Sequence, residues 1–393
     1  MAASLHVAFV CPRFADGSSA LGGAETLLKA LALRAQTLGH AVTFLTTCAT
    51  DHFTWANVRP PGRRQADGLD TEFFPVDDRD EPTFLRAQNT LCSGRRATEE
   101  AEQVWLAEGV NSAALCRHVR EQAERYDRIV AGPYLFGLTH AVSRIAPEKT
   151  LLVPCLHDEP FARMAATREL FARVRGVLFN TEPERDVAAR LFGFPADKGR
   201  VVGIGLDPFE ADSGAFARRH GLSVPYLVYC GRREPMKGTP LLLDYFSAFL
   251  DRAGRDLALV LTGTGSADIP TDCAARVLDA GFVSEQEKRE AMAGALAFCH
   301  PSPNESLSIV LLEAWLAGTP ALVRAASPVL TDQCRRSGGG LWFDNYPEFE
   351  EELTLLMDRA DLTRLLAENG RAYVQSEYAW PAVDRRLLAA LRA

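Results

Sequence analysis

The length and composition of the chain indicate a globular protein of two domains. It has 393 residues, 47% hydrophobic and 24% charged, and one hydrophobic core rarely serves so long a chain. The formal net charge of −8 provides no overall positive field, so we expect no nucleic-acid partner. The sequence has no run of about 18 apolar residues, so we expect no transmembrane segment.

The nine cysteines are scattered singly along the sequence. An odd number of cysteines without a Cys-x-x-Cys pair argues against both a disulfide framework and a zinc site. The first residues, MAASLHVAFVCPRF, lack the basic start and the long apolar stretch of a signal peptide. We therefore expect a cytoplasmic protein.

In the first half of the chain, short apolar runs alternate with amphipathic segments, which is typical of an α/β protein with parallel sheets. The predicted strands are His6–Cys11, Ala41–Thr46, Arg128–Ala131, Thr150–Cys155 and Gly176–Asn180. The predicted helices are Ala24–Leu38, Glu99–Tyr126 and Glu182–Leu191. Between them, Asp51–Arg96 is rich in Pro, Gly, Asp and Arg, and it is predicted as long loops with a short strand at Glu72–Val76.

The second half repeats this pattern, which favours two doubly wound sheets over one large sheet. Its predicted strands are Tyr226–Cys230, Leu257–Thr262, Ala275–Leu278, Ala295–Cys299 and Pro320–Arg324. Its predicted helices are Thr239–Arg252, Ser284–Ala293, Ser308–Ala317 and Pro347–Arg359. The segment Gly203–Asp212 is suited to the linker between the two halves.

The most informative stretch runs from His300 to Pro320, where a polar loop after a predicted strand enters a helix. The predicted cap of this helix is Asn304, Ser306 or Ser308. Glu305 is predicted just before the helix and Glu313 two turns inside it, about 12 Å further along the axis. Free N–H groups at the start of the helix would bind phosphate or sugar hydroxyls, and carboxylates accept hydroxyl hydrogen bonds.

Glu313 lies in an otherwise apolar run, where an acid without a partner is costly. This favours a functional role for the two glutamates. The alternative is that Glu305 and Glu313 are ordinary acids on the surface of a helix.

A basic loop, Gly231–Gly238, follows the predicted strand Tyr226–Cys230. Ligands of parallel sheets bind at the carboxyl ends of the strands, where Arg232 or Arg233 with Lys237 could neutralise a diphosphate. Because the sequence shows no Asp-x-Asp motif between apolar strands, we expect this loop to do the work that Mg²⁺ does elsewhere, with no metal and no cofactor. A turn with solvated basic residues is the alternative.

Weaker signals lie at other loops. Gly22 and Gly23, after Leu21, open a predicted helix and would let a phosphate approach the backbone closely, although a glycine pair there is common. Gly263 belongs to Thr-Gly-Thr-Gly-Ser after a predicted strand, which is not a full dinucleotide-binding fingerprint. His157 follows an apolar strand and is either catalytic or structural.

Phe282 and Val283 follow another predicted strand. They could pack against a nucleobase, with backbone groups reading its edge. An ordinary buried strand end is the alternative.

Together these residues resemble the large family 4 of retaining glycosyltransferases. The matching segments are Gly22-Gly23-Ala24-Glu25, Gly231-Arg232 to Lys237-Gly238, Gly263-x-Gly265, Gly281-Phe282-Val283-Ser284 and Glu305-x₇-Glu313 followed by Ala314-x-x-Ala317-Gly318-x-Pro320. They run in order over nearly the whole chain, and the E-x₇-E block is the specific one.

The resemblance implies the GT-B architecture, in which two Rossmann-like domains with parallel sheets face each other across a cleft. Residues 1–205 would form the acceptor domain and residues 206–376 the nucleotide-sugar donor domain. A C-terminal helix at 377–393, which includes Tyr378-Ala-Trp380, would pack back on the first domain.

The resemblance also implies roles in the donor domain. Arg232 and Lys237 would hold the diphosphate and stabilise its departing charge. Glu313 would bind the ribose and Glu305 the hexose hydroxyls. Val283 would meet the nucleobase through its backbone.

In the first domain, the resemblance implies that Gly23 lies under the phosphates and that His157 contacts the transferred sugar. The sequence departs from the family where Leu307 and Ser308 follow Ser306 in place of the common Phe-Gly. That departure changes the shape around the sugar and leaves the hexose open. The sequence departs from the family a second time at Gly203-Ile-Gly-Leu-Asp207, where the family has Pro-Asn-Gly-Val-Asp before the linker.

The sequence therefore predicts a metal-independent, retaining glycosyltransferase that moves a hexose from a nucleotide diphosphate sugar, with a UDP-sugar favoured, to an acceptor hydroxyl. The alternatives are a nucleotide-sugar epimerase or hydrolase, and a non-catalytic nucleotide-sugar-binding partner subunit. A nicotinamide oxidoreductase is least favoured because the fingerprint is incomplete.

The sequence does not decide whether the acceptor is a small molecule, a glycan, a lipid-linked sugar or a protein. The acceptor is expected near Asp51–Arg125. Four aromatic residues there could form an apolar or sugar-stacking wall or belong to the core: Phe73, Phe74, Phe84 and Trp105.

Overall fold

The computed structural model describes residues 4–16, 22–94 and 98–393, so Leu21 and Arg96 lie outside the described residues. The chain divides into two compact units. Unit 1 extends to Ile204 and includes Val383–Ala393, and unit 2 is Gly205–Ala382.

In the part of the chain that the structure describes, unit 1 contains one sheet of eight strands. They are β1 (His6–Cys11), β2 (Ala41–Thr47), β3 (Gly62–Ala66), β4 (Leu69–Phe74), β5 (Arg128–Ala131), β6 (Thr150–Leu152), β7 (Gly176–Phe179) and β8 (Gly199–Val201). Their order is β3-β4-β2-β1-β5-β6-β7-β8, and all neighbours are parallel except the antiparallel pair β3 and β4. The helices are α1 (Gly23–Thr37), α2 (Glu81–Cys92), α3 (Glu99–Ala107), α4 (Ala113–Gln122), α5 (Gly137–Ile145), α6 (Ala165–Arg173) and α7 (Glu182–Phe192).

Unit 2 is built on a parallel sheet of six strands. They are β9 (Tyr226–Cys230), β10 (Ala258–Thr262), β11 (Val277–Gly281), β12 (Ala297–His300), β13 (Ala321–Arg324) and β14 (Gly340–Phe343), in the order β11-β10-β9-β12-β13-β14. Its helices are α8 (Ala215–His220), α9 (Thr239–Ala253), α10 (Glu285–Ala293), α11 (Ile309–Ala317), α12 (Pro328–Ser337), α13 (Tyr346–Asp358) and α14 (Ala360–Glu377). The last helix, α15 (Trp380–Arg392), begins three residues later than the predicted start at 377.

The apolar runs of both halves form the strands that the sequence predicts, with ends that differ by a few residues. The strand predicted for Thr150–Cys155 ends at Leu152, because Pro154 has no N–H to donate and Cys155 has a φ of +53°. In unit 2, Phe246 and Phe249 of α9 pack with Leu259 of β10 in the core. Burial of the apolar faces of helices on the sheet is the main stabilisation of such a unit.

The prediction of long loops in Asp51–Arg96 is wrong. This segment contains the hairpin of β3 and β4 and helix α2. Asp67 and Gly68 join the two strands with φ values of +46° and +82°, as a two-residue hairpin turn requires. Asp80 caps α2 by accepting a hydrogen bond from Thr83 N at 3.1 Å.

The prediction of one helix over Glu99–Tyr126 is also wrong. Asn111 ends α3, because its side-chain amide donates to Leu106 O at 2.8 Å and to Ala107 O at 3.0 Å. Ser112 then caps α4 by accepting from Leu115 N at 3.2 Å. Two short helices therefore replace the long one.

Of the four aromatic residues considered as an acceptor wall, three are buried and Phe84 is partly buried. Phe73 and Phe74 are buried, and Trp105 is buried between the rings of Phe84 and Phe161. Within the described residues, no helix is both long enough and apolar enough to span a membrane.

Candidate functional site

The predicted basic loop leads from β9 into α9. Lys237 ends a short 3₁₀ turn, and Gly238 follows with a φ of +75°. A Cβ on Gly238 would lie 2.4 Å from the carbonyl oxygen of Pro301, so only glycine allows this loop to approach the segment after β12 so closely. This approach places Lys237 Nζ 2.7 Å from Glu305 Oε1.

Glu305 carries the negative charge of a mostly buried cluster. His300, at the end of β12, has its Nε2 atom 3.4 Å from the same Glu305 oxygen. Burial opposes ionisation of Glu305, but Lys237 and His300 outweigh it and hold its pKa well below the ordinary value. An ionised carboxylate can accept hydroxyl hydrogen bonds through its free lone pairs, and an ammonium has further N–H groups for an anion.

The sequence alone did not decide whether Arg232 or Arg233 acts with Lys237, and the structure distinguishes the two. The Arg233 side chain is only 7% exposed; its guanidinium pairs with Asp279, and its Nη2 atom donates to Gly263 O at 2.9 Å. The Arg232 side chain is 44% exposed, and its Nη2 atom lies 3.3 Å from Glu234 Oε1. Arg233 therefore holds the loops together, whereas Arg232 is accessible to a ligand.

The backbone conformation and the close packing of its loop require a glycine at position 263. Its φ is +123°, and a Cβ there would lie 2.0 Å from Gly231 O. The glycine lets the loop after β10 pack against the loop after β9. It therefore supports the backbone on which Arg232 and Lys237 lie.

Glu313 lies about one turn inside α11, not two, because the helix begins only at Ile309. The partner that its apolar surroundings require is Lys288 of α10, whose Nζ lies 3.1 Å from Oε1 and 3.0 Å from Oε2. Burial raises the pKa of Glu313, and Lys288 opposes that rise. Burial alone would lower the pKa of Lys288, but Glu313 and Glu285 outweigh it and raise that pKa.

Sequence reasoning missed Lys288 and assigned no role to His300. The cost of an unpaired acid in an apolar helix is a signal that a cation must lie nearby. It does not tell which cation, because Lys288 and Glu313 come from different helices.

Ser308 is the cap position of α11, but its side chain makes no capping hydrogen bond. Its φ is +65°, and its buried Oγ has no hydrogen-bond partner among the described residues. A glycine, common in the resembled family at this position, would adopt this conformation without strain. Leu307 is buried, with its carbonyl accepting from Gln333 Nε2 at 3.0 Å, and Ser306 is partly buried.

Phe282 and Val283 follow β11, as predicted. Phe282 is 66% exposed, which is unusual for a large aromatic side chain, and Val283 is partly buried. The exposed ring offers an apolar face at the carboxyl end of a strand. Ser284, next in the chain, caps α10 and so fixes the start of the helix that carries Lys288.

In unit 1, Gly22 is the cap position of α1, and Gly23 is its first residue. His157 lies in the loop after β6, where its Nδ1 is 3.5 Å from Glu159 Oε1. Glu159 accepts a hydrogen bond from the Tyr134 hydroxyl at 2.6 Å, so the histidine has an ordered acidic neighbour. The roles of Gly22, Gly23 and His157 stay predictions.

Unit 1 also contains a cavity of about 1130 Å³ among α3, α4, α5 and α6. Its lining includes none of the residues predicted for the donor site. Its charged lining residues are Asp77, Asp78, Glu99, Glu102, Glu169, Arg144, Arg163 and Arg168.

Residues 216–373 match the family model described as Glycosyl transferases group 1. The D-inositol 3-phosphate glycosyltransferase of Streptomyces avermitilis is 27% identical, over 60% of this chain and 55% of its own. The GDP-mannose-dependent alpha-(1-6)-phosphatidylinositol dimannoside mannosyltransferase of Mycobacterium tuberculosis is 30% identical, over 49% of this chain and 51% of its own. The chain thus spans little more than half the length of these relatives.

Solved structures match nearly the whole chain. Sucrose-phosphate synthase from Thermosynechococcus elongatus has a TM-score of 0.73 and 16% identity, covering 99% of this chain and 98% of its own. Anabaena HepE in complex with UDP-glucose has a TM-score of 0.70 and 16% identity, covering 99% of each chain. At this identity the likeness shows the fold alone, and it confirms the predicted GT-B class.

Proposed function

We propose that this chain, whose residues 216–373 match the glycosyl transferases group 1 model, moves a hexose from a nucleotide diphosphate sugar to an acceptor hydroxyl, with retention and without a metal ion. The observation that carries this proposal is the contact between Lys237 and Glu305 at the ends of β9 and β12. A cation for the leaving diphosphate and an acceptor for sugar hydroxyls lie side by side there. Glu313 and Phe282 would hold the ribose and the nucleobase.

In the proposed reaction, the bond from the anomeric carbon to the phosphate oxygen breaks, and a bond to the acceptor oxygen forms on the same face. The departing phosphate oxygen takes the proton of the acceptor hydroxyl, so no protein nucleophile is required. Lys237 and Arg232 stabilise the charge that develops on the diphosphate. This cationic pair is the reason for proposing a metal-independent reaction.

We propose uridine as the first base to test. Anabaena HepE, which shares the fold, was solved with UDP and with UDP-glucose, whereas the mycobacterial relative is GDP-mannose-dependent. The base must therefore be tested directly. The hexose and the acceptor stay open.

The first experiment is a thermal-shift screen against UDP, GDP, ADP, dTDP and their common sugars, with EDTA and separately with Mg²⁺. A ligand at 100 times its Kd stabilises the folded state by about 2.7 kcal/mol. We expect a shift with one nucleotide, independent of Mg²⁺ and weakened in Glu313→Gln. No shift with any nucleotide at millimolar concentration would contradict the proposal.

The second experiment measures nucleotide release from the identified donor. Lys237→Ala should lower kcat by about 10²–10³ at saturating donor, because it removes one electrostatic stabiliser of the leaving group. Unchanged kcat would refute the role of Lys237. Consumption of donor without any acceptor would indicate the epimerase or hydrolase alternative, and binding without turnover across acceptors would indicate a partner subunit.

A further inference from the structure

Lys288 forms a mostly buried ion pair with the residue proposed to hold the donor ribose. Its side chain is 17% exposed and that of Glu313 14%. The ammonium lies within 3.1 Å of both carboxylate oxygens of Glu313, and 2.8 Å from Glu285 Oε2. The rest of α11 is apolar, so Glu313 is the one charged residue of that helix and Lys288 of α10 pairs with it.

The charge state of Glu313 decides what it can do for a ribose. An ionised carboxylate accepts hydrogen bonds at both oxygens, whereas a protonated acid presents one O–H donor and fewer acceptor sites. A carboxylate removed from water without a cation becomes neutral instead of staying charged. Two vicinal hydroxyls therefore need a cation behind Glu313.

Several groups act on Glu313 from the elements packed around it. On α10 these are Lys288, Glu285 and Arg289, and on β9 it is Cys230. Burial raises the pKa of the Cys230 thiol to about 12, so it is neutral near pH 7. The Arg289 guanidinium lies over the Phe209 ring, and Glu285 adds negative charge. Of these four, Lys288 donates a hydrogen bond to Glu313 Oε1 at 3.1 Å and forms an ion pair with Oε2 at 3.0 Å, whereas Oε2 has no hydrogen-bond partner among the described residues.

We propose that Lys288 is a positioning residue of the donor site: it keeps Glu313 ionised and fixes both of its oxygens to accept the two ribose hydroxyls. This inference rests on the proposed function. The competing explanation is a salt bridge that only stabilises the contact of α10 with α11. That explanation predicts a loss of stability without any change in how nucleotide affinity depends on pH.

The test is isothermal titration calorimetry with UDP between pH 6 and 9, or with GDP if the wild type binds only GDP. Lys288→Met, which keeps most of the unbranched side chain but not the charge, should weaken binding about tenfold or more at pH 7, the loss expected for a hydrogen bond to a charged group. Its affinity should recover toward pH 9, because Glu313 without its cation ionises only at higher pH. The wild type and Lys288→Arg should show no such slope.

A second measurement asks whether the ribose is the group being held. The wild type should bind the 2′,3′-dideoxy analogue of the same nucleotide about tenfold or more weakly than the parent nucleotide. Lys288→Met should discriminate much less at pH 7, because the two changes remove the same interaction. Equal discrimination by both proteins would overturn the proposal.

Two further variants keep the test decisive. Glu285→Gln removes the more exposed partner of Lys288 and should leave the pH profile unchanged. If Lys288→Met does not fold, Lys288→Met with Glu313→Gln removes the uncompensated charge, and this pair should bind weakly at every pH. A double variant that binds like the wild type would overturn the proposal.

The outcomes distinguish a failure of this inference from a failure of the proposed function. If the wild type binds no nucleoside diphosphate, the proposed function is refuted, and this inference is refuted with it. A wild type that binds, together with a Lys288→Met profile parallel to it over pH 6–9, overturns the role of Lys288 alone.

Discussion

Replacing Ser308 by glycine is expected to stabilise unit 2. Ser308 has a φ of +65°, a conformation that costs an L-residue about 1–2 kcal/mol. Its buried Oγ has no hydrogen-bond partner among the described residues, and an unsatisfied buried hydroxyl costs about 1–3 kcal/mol. Glycine removes both costs, but it loses about 0.5–1 kcal/mol more in conformational entropy on folding.

These contributions predict a ladder of stabilities, that is, a ranking of the Ser308 variants by their free energy of unfolding. Ser308→Gly should gain about 2 kcal/mol, and Ser308→Ala about 1 kcal/mol, because alanine loses the hydroxyl but keeps the strained backbone. Ser308→Val should lose about 2 kcal/mol or more, since a β-branched residue is least tolerated at positive φ. For a unit of this size, 1 kcal/mol corresponds to a shift in Tm of about 2–4 °C.

Urea unfolding and calorimetry of the four proteins measure this ladder. If Ser308→Ala is as stable as Ser308→Gly, the backbone strain is absent and the reasoning is wrong. Strained residues cluster at functional sites, so we also expect Ser308→Gly to bind the donor more weakly, because it loosens the turn between Glu305 and α11. Donor affinity measured on the same samples tests this second expectation.

Two other predictions concern stability. Gly238→Ala should cost about 3 kcal/mol, because it combines a φ of +75° with a Cβ 2.4 Å from Pro301 O. Its control, Gly254→Ala at the other end of α9, has positive φ but open space and should cost only about 1 kcal/mol; equal losses in urea unfolding would contradict the close approach. Burial, with Glu348 nearby, raises the pKa of Glu352 to about 8, so the wild type should lose stability as pH rises from about 4.5 through 8. Glu352→Gln should remove this loss and be the more stable protein at pH 8.5, and parallel pH–stability curves for the two would speak against it.

The sequence by itself determined the secondary structure of most of the chain and the type of the sheets. Continuous apolar runs of four to eight residues are too short for most helices and fit central strands covered on both faces, so their alternation with amphipathic segments favours parallel sheets. The hairpin at Asp67-Gly68 and the helix end at Asn111 were also readable from turn and capping residues. The hairpin was missed because the mixed polar composition of Asp51–Arg96 indicated loops, and the helix end was missed because Glu99–Tyr126 was read as one continuous helix.

The tertiary structure alone decided which side chains meet. Lys237 and Glu305 are 68 residues apart, yet they touch because β9 lies between β10 and β12 in the sheet. Lys288 reaches Glu313 across 25 residues because α10 packs beside α11. Periodicity records only which face of an element is buried, and partners across elements depend on strand order and helix packing, which local sequence does not encode.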